Sequence, residues 1–344
     1  MPRNDQLRIH VLNVGHGDAV IIELPDYGDG ATQTLARFGV VDFGARRGAD
    51  RGVARDYLDR LAQLRIDGQE ITDYQVEFAC VTHPHNDHYG GLQRFMSRHV
   101  SKVRRFWDCG FRTTALTYNK ILAEQVIPQQ DIMFTRVAAG AEYTFGRVRV
   151  TVLAPSIDLR NRFDTYGVGM NDASIVLKVE MNNSRVILAA DAEFASWGKI
   201  TEEYPRTARI NFHKDAQGLA ERSESSEQLT CDLLKLSHHG SMHGTALEYL
   251  RRIEPNRVAI CAGDDQWYVD HAPNWQNYFP HQLINNTLDV LGVDPGARHV
   301  TGMDGHLISC YGGGVRPNPV NPHAVDSDPC DPGPAFDTEL AAAL

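Results

Sequence analysis

The stretch that most limits what this chain can become is VTHPHNDHYGG, residues 81–91, which directly follows the apolar run QVEFAC. That run predicts a buried strand, and Gly90 and Gly91 let the backbone turn tightly into the helix expected from GGLQRFMSRH. Between strand and helix stand His83, His85, Asp87 and His88. A strand that runs into a loop at its C-terminal end delivers the loop to the rim of a sheet, where α/β proteins place their sites. In an extended loop His83 and His85, two residues apart, put both imidazoles on one side. Asp87 and His88 then turn toward a second point, and Pro84 stiffens the segment. Imidazole and carboxylate are the usual ligands of zinc and similar divalent ions. One His-x-His pair would fit chance surface histidines, but the whole His-x-His-x-Asp-His pattern in this setting predicts a metal site.

The remaining chain alternates between strand and helix patterns. LRIHVLNV and AVIIEL flank the turn GHGD, whose glycines permit positive φ. RFGVVDFG predicts a strand ending in Asp42, and Val53, Tyr57, Leu58, Leu61 and Leu64 form one helical stripe. VRRFWDCG reads as a strand, and SIVLKVE with RVILAAD as a hairpin around MNNS. CDLLKLSHHG is a strand feeding a second histidine pair; TALEYLRRIE and PHQLINNTLDVLG read as helices, RVAICAG as a strand, and RHVTGMDGHLISC as a closing hairpin. Strands rich in Val, Ile and Leu that alternate with helices define an α/β protein with both sheet faces covered. We expect one folded domain over residues 1–311, with the polar, aperiodic 205–230 as an insertion loop, followed by a Pro/Gly/Asp-rich tail over 312–344.

No apolar run approaches the ~18 residues that span a bilayer. The polar N-terminus MPRNDQLRIHVLN has no apolar signal core, so a cytoplasmic protein without membrane contact is expected. The six cysteines form no CxxC pair and read as buried inert thiols. A formal net charge of −10 argues against tight binding of a long polyanion. The one local exception is RFMSRHVSKVRRF, with Arg94, Arg98, His99, Lys102, Arg104 and Arg105, which reads as a solvated helix face with a phosphate-facing role as the alternative.

THPHNDHYGG resembles the hallmark of the metallo-β-lactamase superfamily. The resemblance implies a four-layer αβ/βα sandwich with a two-metal site along its edge. VVDFG resembles the family's strand-end aspartate motif, which would make Asp42 an orienting group; VILAADAE would carry a metal-bridging Asp191; LKLSHHGS would supply a late histidine, His238 or His239. NVGHGDA, NDASIVLKVE, HHGS, NYFPHQ and HVTGMDGHLIS are similar, in that order, to the ComEC-like branch, the hydrolase domain attached to DNA-uptake channels. The pattern departs from the superfamily in three places. Its middle histidine is replaced by MNDAS, which leaves Asn171 or Asp172 to serve. Ala190 stands for the usual glycine before Asp191, and Phe279 for a histidine, with His281 nearby.

On that basis His83 and His85 hold one divalent ion, with Asp172 as the nearest carboxylate to complete its shell. Asp87, His88 and one of His238 and His239 hold a second, and Asp191 bridges the pair. Zinc and manganese are the expected ions, and catalytic work falls to Asp87, His238 and His239, the free member of the HHG pair donating a proton. His16 and Asp18 either build the GHGD turn or touch substrate. His243, His271, His281 and His306 read as surface or packing histidines, His281 being the best placed for the site. The reading favours a metal-dependent phosphodiesterase or nuclease acting on a phosphodiester or nucleic acid. An ester, lactone or β-lactam hydrolase, and a partner-binding subunit that docks through 205–230 or the tail, are the competing functions.

Overall fold

The structure is a computed structural model. It describes residues 6–25, 35–45, 52–66, 71–112, 115–162, 168–205, 207–215, 218–226, 228–264, 268, 270 and 278–311, with 207–215 and 218–226 as backbone. The 312–344 tail and His271 lie outside the described residues.

Two seven-stranded sheets dominate. The first holds β1 (Leu7–Val11), β2 (Val20–Leu24), β3 (Leu35–Val41), β4 (Asp73–Val81), β5 (Arg105–Asp108), β6 (Met133–Arg136) and, from the end of the domain, β16 (Leu307–Tyr311), in the order β16-β1-β2-β3-β4-β5-β6. Its β16, β1, β2 and β3 are antiparallel neighbours, whereas β3 to β6 run parallel. The second holds β7 (Glu142–Phe145), β8 (Val148–Ala154), β9 (Val176–Met181), β10 (Ser184–Leu188), β13 (Leu233–Lys235), β14 (Arg257–Ile260) and β15 (Arg298–Val300), in the order β15-β14-β13-β10-β9-β8-β7. Here β10, β13, β14 and β15 are parallel.

Alternation along each strand decides which layer a side chain enters. Phe78 and Cys80 of β4 and Val186 and Leu188 of β10 point between the sheets, where they join Ile9, Trp107, Val152 and Leu177 in one core. Ala79 and Val81 point outward onto α1 (Val53–Ile66), α3 (Leu92–His99) and α4 (Leu116–Ile121), packing with Tyr57, Leu61, Phe95 and Tyr118. Short α2 (Asn86–Tyr89) and α5 (Ile157–Arg160) lie in the connecting segments. Ile187 points the other way, onto α6 (Phe194–Glu203), α7 (Leu247–Ile253) and the helix Gln282–Val290, against Trp197, Leu250 and Leu288. Both sheets are thus buried on two faces, which explains their near-continuous apolar strands. The layers run helix, sheet, sheet, helix, as the αβ/βα sandwich requires.

Three expectations need correction. The 205–230 segment is no aperiodic loop: β11 (Thr207–Asp215) and β12 (Gly218–Ser226) pair as an antiparallel ribbon from Thr207↔Ser226 to Asp215↔Gly218. The ribbon belongs to neither large sheet. RHVTGMDGHLISC is not a hairpin: β15 pairs with β14 in the second sheet, and β16, after the turn of helix Thr301–Asp304, pairs with β1 in the first. Cys80, Cys109, Cys231 and Cys261 are buried free thiols, but Cys310 is in a disulfide. The basic stretch after the histidine loop is the solvated helix face expected, and its phosphate-facing alternative fails because the stretch lies away from the site. Arg98 pairs with Asp59, and Lys102 with Asp73, the residue that opens β4 at the end opposite its histidines.

Candidate metal centre

The parallel strands aim their C-terminal ends at one edge of the sandwich, and the polar residues that follow them meet there. Asp42 follows β3, His83 to His88 follow β4, Asp191 follows β10, and His238 and His239 follow β13. Asp42 organises the first loop. Its carboxylate accepts from Thr82 N at 2.8 Å, Thr82 Oγ1 at 2.7 Å and His88 Nδ1 at 2.7 Å. With Nδ1 so engaged, His88 turns Nε2 toward Asp191 Oδ1, 3.2 Å away. His83 repeats the scheme: Nδ1 lies 3.3 Å from Ser174 Oγ, and Nε2 faces His85 Nδ1 at 2.9 Å and Asp191 Oδ2 at 3.8 Å. His239 donates from Nδ1 to the Cys261 carbonyl at 2.7 Å and turns Nε2 to Asp87 Oδ2 at 3.2 Å and Asp191 Oδ2 at 3.6 Å. An imidazole anchored through one nitrogen and presenting the other inward is the arrangement metal-ligating histidines adopt.

The backbone is bent to achieve this. Asp42, Ala190, His238 and His239 all hold positive φ, between 47° and 62°. Left-handed backbone at residues other than glycine costs free energy and tends to concentrate at functional sites. The GHGD turn lies directly on the histidine loop: Asp18 N donates to the Asp87 carbonyl at 3.1 Å, and a Cβ on Gly17 would sit 2.5 Å from that oxygen. Asp18 is buried and paired with Lys235, whose Nζ also donates to the Ala190 carbonyl at 3.1 Å. His16 packs its ring on His239 and Phe279, with Nδ1 3.2 Å from Tyr268 Oη.

Charge within the cluster is strongly polarised. Burial works against an ionised Asp191, but His88 and His239 outweigh it and hold the carboxyl well below the usual range. His88 is likewise pushed well above the ordinary imidazole value, its burial overridden by Asp191, Asp42, Asp18 and Asp87. His83 goes the other way: burial and the neighbouring His88 hold it well below, as a neutral ligand. Burial also lowers His85 and His16 and raises Asp42.

Three groups of side chains place their ligand atoms within 4.8 Å of one another: His83, His85 and Asp191; Asp18, His88, Asp191 and His239; and His16, Asp87 and His239. Asp191 belongs to the first two, and two ligand arms of ~2.0–2.2 Å span nearly that distance. His88 Nε2, Asp191 Oδ1, Asp18 Oδ1 and Asn171 Oδ1 are buried without a hydrogen-bond partner. Orphaned buried donors and acceptors are costly, and a cation among these lone pairs would satisfy them. The residues therefore fit a divalent ion.

The structure brings together His83, His85, Asp87, His88, Asp191, His16 and Asp18, with Asp42 behind them. Of the HHG pair, His239 joins the metal-ligand groups; His238 sits at their side, Nε2 3.9 Å from Asp191 Oδ2 and Nδ1 2.9 Å from Glu193 Oε1. Asp172, expected to complete the first shell, is turned away. Its carboxylate accepts from Ser196 N at 3.0 Å at the start of α6, where free amides compete for it. Asn171 faces the site instead, its Nδ2 2.9 Å from Glu193 Oε1 and 3.5 Å from His238 Nδ1. His281 is not in the cluster, because its Nδ1 accepts from Leu283 N and caps the helix that follows. His306 accepts from Asn13 N, the packing role expected of it. Glu193, Ser174, Thr82 and Tyr268 were not singled out from sequence. For Glu193 a signal exists: it lies two residues after Asp191, the spacing that puts side chains on one side of an extended chain.

The family model for the metallo-beta-lactamase superfamily matches residues 40–263, and the chain belongs to that superfamily. That membership supports a metal-dependent hydrolase that uses divalent ions. Among curated proteins the chain is similar to ComE operon protein 3 of Bacillus subtilis (strain 168), 21% identical over 210 residues that cover 61% of this chain. The matched region spans 22% of that relative's own length. Among solved structures it is similar to CmlA, a diiron β-hydroxylase from Streptomyces venezuelae, at 13% identity and TM-score 0.48, covering 90% of this chain and 54% of that one. It is also similar to the metallo-beta-lactamase fold protein YhfI from Bacillus subtilis, at 10% identity and TM-score 0.46, covering 89% of this chain and all of that one. Among the described residues no helix is long and apolar enough to cross a membrane.

Proposed function

We propose that this hydrolase cleaves phosphodiesters, in nucleic-acid strands or shorter nucleotides, with two divalent ions, zinc or manganese. The observation that carries the reading is Asn171. Where the resemblance leads one to expect a histidine, an amide oxygen stands buried and unpartnered beside the ligand cluster. An oxygen donor in place of an imidazole favours harder ions, which suit phosphoryl oxygens. His83, His85 and Asp191 would hold one ion; His88, Asp191 and His239, with Asp87 or Asp18, the other. When bound, such a pair supplies Lewis acidity and a nucleophile at neutral pH.

The chain's own residues do the rest. Asp42, Ser174 and the Cys261 carbonyl fix the ring orientations of His88, His83 and His239. Glu193, held ionised by His238 and Asn171 against its partial burial, keeps the His238 Nδ1 proton in place. His238 then works through Nε2, on the side of Asp191, and delivers a proton to the departing oxygen. His16 packs on Tyr268 and Phe279, and Phe279 also stacks beside the His238 ring.

The test is turnover of bis(p-nitrophenyl) phosphate and oligonucleotides beside a panel of lactams, lactones and carboxylic esters, with metal content measured on the same preparations. Diester turnover that Asp191→Asn abolishes, with loss of bound metal, is the expected result. Turnover confined to lactams or esters overturns the assignment. A stoichiometric co-purifying partner with no turnover at all would favour a binding subunit instead.

A further inference from the structure

The basic residues that do lie near the centre are not those of the 94–105 segment. Beyond β4 the first sheet continues with β5 and β6, both parallel to it, so their C-terminal ends reach the same edge as the histidine loop. Asp108, the last residue of β5, pairs with Val81, two residues before His83. Asp108 itself is buried and occupied: Arg112 and Tyr118 both donate to it, which fixes the course of the chain after β5. That chain passes through Gly110, at φ 95°, whose α-carbon is covered by Arg136 from the end of β6 and Arg160 from α5. A Cβ placed there would be 3.5 Å from Arg136 Cδ and 3.6 Å from Arg160 Nε. α5 in turn packs on the Asn171–Ala173 turn, which carries the amide that faces the centre.

Two arginine side chains therefore border one glycine, Arg136 from the end of β6 and Arg160 from α5, at the sheet edge that also carries the metal-ligand loop. Many arginines in the described structure sit on a carboxylate, Arg8, Arg37, Arg112 and Arg298 among them. These two do not: Arg160 donates to the Arg136 carbonyl, and neither has an acidic partner among the described residues. Like charges placed together without a counter-charge, in a chain of formal net charge −10, mark a place for an anion. We infer that Arg136 and Arg160 form a subsite for a second phosphate of the substrate, next to the one that is cleaved. The inference rests on the phosphodiester reading above and narrows it: the preferred substrate is a strand or oligonucleotide that carries a phosphate beyond the scissile one. A single strand followed by such a site owes its affinity to phosphate neutralisation and is correspondingly salt-sensitive.

The experiment compares binding of a hydrolysis-resistant phosphorothioate oligothymidylate to the intact protein, to Arg136→Gln/Arg160→Gln, and to the control Arg98→Gln/Arg104→Gln. The control removes equal charge at the other end of the sheet. We expect the first double variant to bind about tenfold more weakly and its log–log salt slope to fall by roughly 0.7 to 1.4, for one or two lost contacts. The control is expected to match the intact protein. In turnover of oligonucleotides the loss should appear in KM rather than kcat. Equal affinity and slope in the two double variants overturns the subsite, as does an intact protein that fails to bind the strand. If binding falls as expected but no phosphodiester is hydrolysed, the functional reading fails and the subsite stands.

Discussion

Lys235→Met tests whether the site is built on a buried ion pair. Lys235 and Asp18 are 1% and 4% exposed, and Lys235 is tied to both the Asp18 carboxylate and the Ala190 carbonyl. Burial disfavours the ammonium, but Asp18 outweighs it and raises the Lys235 pKa. Methionine fills similar volume without charge. It leaves Asp18 buried, its nearest remaining cationic neighbour being the His239 ring at 3.5 Å. Removing one partner of a buried pair costs ~3–5 kcal/mol. The Ala190 carbonyl keeps its bond from His238 N at 2.9 Å, so the lost bond to Lys235 adds little, and we expect a loss near ~3–4 kcal/mol. With an unfolding entropy of about 2.1 cal/mol/K per residue, a folded domain of this size shifts by roughly 1.5 °C per kcal/mol, so the melting temperature should drop by roughly 4–6 °C. The assay is urea unfolding followed by circular dichroism in the presence of a chelator, so that metal binding does not enter. Lys235→Met/Asp18→Asn removes both charges and should recover most of the loss. A single variant within ~1 kcal/mol of the intact protein, or a double variant as damaged as the sum of the singles, refutes the reasoning.

Ala190→Gly should stabilise the protein by about 1 kcal/mol, read from the urea midpoint, since Ala190 sits at φ 48° and glycine adopts that conformation without steric cost. Gly17→Ala should abolish diester turnover and weaken metal retention, because its Cβ would meet the Asp87 carbonyl at 2.5 Å in a turn at φ 149°; normal metal content and turnover would contradict the packing described here. Away from the site, Glu23 is buried between Arg8 at 3.0 Å and Arg65 at 2.6 Å, and although burial opposes it these cations hold its carboxyl below the usual range. Its folded pKa is depressed, so its contribution is present above the unfolded value of ~4.3 and is lost as pH falls through the folded one. Glu23→Gln should therefore lower stability at pH 7 by ~3 kcal/mol and flatten the acid limb of the stability curve below pH ~4.3.

What could be read from sequence, and what could not, follows from how far each decision reaches along the chain. The strand and the helix α3 that flank His83 to His88 are settled locally, by an apolar run and the two glycines, and appear as expected, although Asp87 and His88 stand on the short helix α2 rather than in an extended loop. The same holds for the helical stripe of Tyr57, Leu58 and Leu61 and for the β9–β10 hairpin. The misreadings concern competition between distant partners. Asp172 lies next to Asn171 in sequence, and only the position of α6 decides that its carboxylate meets helix amides rather than the cluster. β15 and β16 are separated by six residues and look like a hairpin, yet each finds a better partner in a different sheet. The same kind of competition sinks the phosphate-facing alternative for the basic 94–105 segment, which α3 carries to the far end of β4.

The choice between His238 and His239 shows most sharply why local sequence falls short. Both residues follow the same strand and have the same side chain. Their roles separate because each adopts left-handed backbone, at φ 47° and 54°, a conformation that histidine disfavours on its own. Only long-range contacts can hold it: His238 N bonds to the Ala190 carbonyl, and Pro280 closes on Gly240, where a Cβ would come within 2.7 Å. That fold of the loop sends His239 inward to the Cys261 carbonyl and Asp87, and leaves His238 outside with Glu193 and Asn171. The division of labour we propose between ligand and proton carrier is therefore written in the packing of β10, β13 and the Phe279–Pro280 segment around four residues, rather than in those residues themselves. It follows that Gly240→Ala, which touches neither imidazole's chemistry but would push Pro280 off the loop, should change which histidine faces the ions, and with it the activity.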